Sequence, residues 1–68
     1  MTRKEAIAFA ISTRKPITHR YFSDDEFVYY DDKGNLRDES GYFLPNDEFW
    51  GMRTGDYWET DWREYEKN

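Results

Sequence analysis

Cysteine is absent from this chain of 68 residues, histidine occurs once and proline twice. Without thiols there is neither a disulfide nor a thiolate zinc site, and one imidazole leaves no set of histidines to hold a metal. Aliphatic mass is scarce, with one valine and two leucines. No apolar run reaches the roughly 20 residues a membrane-spanning helix needs. The start "MTRKEAIAFAIS" lacks the long apolar stretch and cleavage site of a signal peptide. A soluble cytoplasmic protein is the expectation.

What the chain has instead is rings and acid. Five Phe, six Tyr and three Trp bury roughly 150–250 Å² each when packed, so aromatic side chains can replace the missing aliphatic mass. A chain this short makes one domain, 1–68, whose core supplies only about 3–5 kcal/mol. Dense ring packing or a homo-oligomer is the expected reinforcement. Charge is unevenly spread. Residues 1–20 carry five basic side chains against one acidic, a net of +4, and residues 21–68 carry five against fourteen, a net of −9, giving −5 in all. Such a surface is expected to repel nucleic acid overall, unless the basic patch of residues 1–20 acts alone, and to attract a basic groove on a partner.

Local patterns predict one helix and then short strands. "TRKE" (2–5) is a capping box. Ala6, Ile7, Ala10 and Ile11 recur at helical spacing, Arg14 and Lys15 suit the negative helix end, and Pro16 stops the helix, which therefore runs over about 3–14. From there the period becomes two. "ITHRYF" (17–22) has large groups on both alternating sets and reads as a strand covered on both faces or lying at an interface, and "EFVYY" (26–30) reads as its hairpin partner across "SDD". "DDKGN" and "DESG" are turns, with strands around Leu36 and through 42–44, and Pro45 ends the last of these. Residues 46–50 fit either a helical turn or a strand entry. "YWETDWREY" (57–65) reads as a final strand with Trp58, Thr60 and Trp62 on one side, and the tail "EKN" as frayed. The class is α+β: one N-terminal helix packed on an antiparallel sheet of four to six short strands, within about 17–65.

Catalytic and metal chemistry find little support. An EF-hand register with Gly34 or Gly41 sixth puts Tyr29 or Leu36 first, where a carboxylate is required. His19 has no nucleophile grouping around it, and the four glycines are dispersed rather than gathered in a phosphate loop. The chain is expected to be no enzyme and to carry no cofactor or metal.

Two binding readings remain. "FSDDEF" (22–27) and "LPNDEF" (44–49) place Asp24, Asp25, Glu26, Asp47 and Glu48 beside Tyr29, Tyr30, Phe49 and Trp50. In the first reading these carboxylates steer the protein onto a basic partner, in the manner of DNA phosphates, while the rings provide desolvated contacts. In the second, Arg14, Lys15, His19 and Arg20 form a cationic pocket with Trp58 or Trp62 for an anionic nucleotide. Charge favours the first. Acids for solubility and rings for the core account for part of the same composition.

The layout "TRKEAIAFAISTRKPITHRYF…EFVYY…KG" closing on "WETDWREYE" resembles small cytoplasmic accessory proteins of tailed phages and prophages. It is similar in outline to the Thoeris anti-defence type 2 family, through the helix at 3–13, the basic turn Arg14–Lys15 and Asp61–Trp62. That resemblance implies a counter-defence protein of the host cytoplasm and, in that family, an oligomeric sponge for a nucleotide signal. A non-enzymatic inhibitor that neutralises a host defence or regulatory protein is the leading expectation; a nucleotide sponge and a phage assembly component are the alternatives.

Overall fold

A computed structural model describes residues 1–66. Lys67 and Asn68 of the "EKN" tail lie outside the described residues. The first helix, α1 (Arg3–Thr13), begins as its capping box dictates: Glu5 N–H donates to Thr2 Oγ1 at 3.1 Å, and Thr2 N–H donates to Glu5 Oε1 at 2.8 Å. It ends at Arg14, which adopts the left-handed conformation and donates its N–H to Ala10 O. Ala6 and Ala10 are fully buried, whereas Ile11 is half exposed. The helix thus meets the sheet through its smallest side chains, which lets its backbone come close, and the larger Ile7 and Phe9 pack at the margins.

Five strands follow: β1 (Ile17–His19), β2 (Val28–Tyr30), β3 (Leu36–Asp38), β4 (Phe43–Leu44) and β5 (Trp62–Glu64), with two short helices, α2 (Asn46–Gly51) and α3 (Asp56–Glu59), before the last. They form one antiparallel sheet in the order β4-β3-β2-β1-β5. The fold is α+β, as expected. Two consecutive turns share one device. Asp31 Oδ1 accepts from Lys33 and Asn35 N–H, and Asp38 Oδ1 accepts from Ser40 and Tyr42 N–H. In each case a glycine of positive φ, Gly34 or Gly41, sits three residues on.

Residues opposite one another in register share a face. Ile17, Val28, Tyr30, Leu36 and Trp62 lie on one side, which α1, α2 and α3 cover and where the core forms with Ala6, Ala10, Phe49 and Trp50. The other side presents Thr18, Tyr29, Arg37, Phe43 and Arg63. All three β1 residues are buried, matching a strand covered on both faces.

Two sequence expectations are corrected, and one open choice is decided. The strand proposed for 17–22 stops at His19, because Phe22 N–H donates to His19 O and Tyr21 N–H donates to His19 Nδ1, bending the chain at once. The segment 57–65 is not one strand: α3 carries Trp58, the chain reverses at Asp61 with φ 71°, and only then does β5 begin. Trp58 and Trp62 meet by that reversal rather than by alternation, with Trp62 Nε1 donating to Trp58 O at 2.7 Å. Residues 46–50 are helical, set going by Pro45, whose carbonyl accepts from Phe49 N–H.

Candidate binding groove

The turn before β2 is the first wall. Glu26 N–H donates to Ser23 O, Ser23 N–H donates back to Glu26 Oε1, and Thr18 Oγ1 donates to Glu26 O at 2.8 Å, so the turn is pinned to β1. The second wall is α2, and the third is the Asp38–Gly41 turn. Between them lies a groove of about 310 Å³. Its floor is apolar, made by Val28, Leu44 and Phe49, with Phe27 and the exposed Pro45 and Met52 at the lips. Glu26, Asp38, Glu39 and Glu48 rim it, against one guanidinium, Arg53.

Arg53 is committed to the protein. Its guanidinium lies 3.9 Å from the Phe49 ring centroid and 5.2 Å from that of Trp58, and Nη1 donates to Phe49 O. Burial lowers its pKa, and the Glu26 carboxylate opposes that shift. Among the described residues, its buried Nε has no hydrogen-bond partner. Arg53 therefore braces α2 against the ring cluster and offsets only part of the rim's negative charge.

The acidic residues singled out from sequence divide. Glu26 and Glu48 line the groove. Asp24 and Asp47 are exposed outside its lining, and Asp25 borders a separate hollow on the other side of the Phe27 ridge. The ring anchors are corrected more sharply. Tyr30, Phe49 and Trp50 are core residues, no more than 9% exposed. Tyr30 donates its hydroxyl to Asn46 Oδ1 and accepts from Trp50 Nε1 at 3.0 Å, and burial raises its phenol pKa. Only Phe49 reaches the groove, as floor, while Tyr29 belongs to the opposite sheet face.

The alternative cationic pocket does not assemble. Arg14 donates to Asp31 O, Lys15 lies 3.9 Å from Glu64, and Arg20 lies 3.9 Å from Asp61. His19 and Trp62 are 1% exposed, and Trp58 is half-buried against the His19 ring at 4.6 Å. Arg20 lies over the exposed Tyr21 ring at 5.7 Å, but among the described residues neither Trp58 nor Trp62 stacks with Arg14, Lys15 or Arg20. Asp38, Glu39, Leu44, Met52 and Arg53 were missed, since only the β2–β3–β4 register and the seat of α2 bring them together; the Asp-x-x-Gly spacing of the turns was the one local signal available.

Among the described residues no group of three or more His, Cys, Asp or Glu is placed to hold a metal, and no helix is long and apolar enough to cross a membrane. Comparison with protein-family models, with curated proteins and with solved structures yields no match to this chain.

Proposed function

We propose that this is a non-enzymatic binding protein that docks a basic, partly apolar surface of a partner protein in the groove between α2 and the sheet. The observation that carries this reading is the pairing of an apolar floor with four rim carboxylates against one guanidinium already held by Phe49. Carboxylates at a rim accelerate encounter and select positive partners, and the desolvated floor slows release. Stoichiometric neutralisation of a host defence or regulatory protein in the cytoplasm is the setting that the phage-type layout suggests for such a surface.

A labelled peptide of alternating leucine and lysine tests the groove. Its affinity is expected to fall with added salt. Replacing two exposed groove residues together, Glu48→Lys with Met52→Ala, is expected to weaken it roughly tenfold and to flatten the salt dependence. Equal affinity of the double variant and the parent chain rejects the reading.

A further inference from the structure

Phe27 and Glu39 line the groove on one side and, on the other, a second hollow of about 520 Å³ completed by Pro16, Asp25 and Tyr65. This hollow lies on the sheet face opposite the core, at the end where β1, β2 and β5 meet. Tyr65 N–H donates to Pro16 O at 2.9 Å, which fixes the Tyr65 backbone beside the start of β1. Its centroid is 4.5 Å from that of Phe27, at an interplanar angle of 36°, and Tyr29 extends the ring surface at 6.3 Å from Phe27. Asp25 and Glu39 are exposed. Among the described residues, neither carboxylate takes part in a hydrogen bond or an ion pair.

We infer that this hollow receives a lysine side chain from the same partner segment that occupies the groove. The inference rests on the binding reading above and adds the chemistry of one contact. The aromatic faces and the proline ring suit a tetramethylene stem, and the negative π-faces of the aromatic rings alone attract the cationic head. The two carboxylates come from different segments, the Ser23–Glu26 turn and the Asp38–Gly41 turn. Separate acceptors are what a compact ammonium with three divergent donors satisfies, whereas a guanidinium is best paired with a single coplanar carboxylate. A quaternary ammonium has no donors to offer them. Because Phe27 and Glu39 belong to both cavities, a segment with an apolar anchor in the groove passes directly over that ridge.

The test uses the full chain and ¹H–¹⁵N NMR, with Nα-acetyl-lysine methylamide and its arginine and norleucine counterparts as probes. The lysine probe is expected to shift the amides of Asp25, Phe27, Glu39 and Tyr65, with the norleucine probe silent and the arginine probe weaker. The exposed pair Asp25→Asn and Glu39→Gln should weaken the lysine response at least about fivefold without loss of fold, and Tyr65→Leu should do the same by removing a ring face. The assignment is overturned if lysine leaves those amides unmoved, if arginine or norleucine matches it, or if the carboxamide pair binds as the parent does. The leucine–lysine peptide separates the two claims. Shifts at Leu44 and Met52 without shifts at Asp25 and Tyr65 sink only the lysine site, and the reverse pattern sinks the groove and the shared segment while leaving lysine binding in the hollow.

Discussion

His19 on β1 faces Trp62 on β5 directly, their ring centroids 4.7 Å apart at 63°, and both side chains are 1% exposed. The imidazole is fully used. Nδ1 accepts from Tyr21 N–H at 3.1 Å, and with that nitrogen unprotonated Nε2–H donates to Thr60 O at 2.8 Å. One side chain thus ends β1, fixes the chain just before Asp61 and fills the space between two tryptophans.

From this follows the expected cost of His19→Leu. The replacement keeps apolar bulk but leaves a backbone donor and a backbone acceptor without their partner in a partly buried place. Urea unfolding is expected to show a loss of about 2–4 kcal/mol. A loss below about 1 kcal/mol would mean that water replaces the imidazole at both groups.

Tyr30→Phe separates a core role from a binding role. Its hydroxyl bridges Asn46 at the start of α2 and Trp50 Nε1 within it. Removing that oxygen strands the indole donor in a buried site, for an expected loss of about 1–3 kcal/mol in chemical denaturation. Affinity for the leucine–lysine peptide should stay within about twofold at a temperature where the variant is folded, because Tyr30 does not line the groove. A large affinity loss in fully folded protein would restore Tyr30 as a contact residue.

What could be read from the chain alone follows from how far apart the interacting residues lie. Thr2 and Glu5 are three positions apart, and the Asp31 and Asp38 turns close within four, so their chemistry is visible in a short window. The Tyr30–Trp50 bond spans 20 positions and His19–Thr60 spans 41. Neither has a local sign, so the sequence alone does not distinguish these buried rings from surface anchors. Trp58 and Trp62 misled in a particular way: a spacing of four is both same-side in a strand and one turn of helix, and the left-handed residue Asp61 decides between them. Charge asymmetry survived as a guide to Glu26 and Glu48, but Asp38 and Glu39 joined them only through the pairing of β2 with β3.

Arg14 offers a gain in stability. It holds φ 62° at the end of α1, in a region where a side chain costs roughly 1 kcal/mol relative to glycine. Its guanidinium donates to Asp31 O at the exposed surface, an interaction that water readily replaces. Arg14→Gly is therefore expected to raise stability by up to about 1 kcal/mol, seen as a Tm increase of a few degrees. A lower Tm would show that the link to Asp31 contributes more than the backbone conformation costs.

Asp31 should control the acid limb of the stability profile. Its carboxylate accepts from Arg37 Nε at 2.6 Å and from the amides of Asn35 and Lys33. The Arg37 hydrogen bond first, then the amide of Asn35, holds its pKa below the ordinary value of 3.8 in the folded chain. A depressed folded pKa means that the unfolded chain takes up its proton at higher pH. The contribution is complete above the ordinary value and disappears as pH falls through the lower folded one. Asp31→Asn removes this dependence, and its amide nitrogen cannot accept from Arg37. Stability measured by urea between pH 7 and pH 2.5 should therefore converge for the two proteins at the acid end and separate toward neutrality. Parallel curves over that range would show that the β2–β3 turn draws nothing from the charge on Asp31.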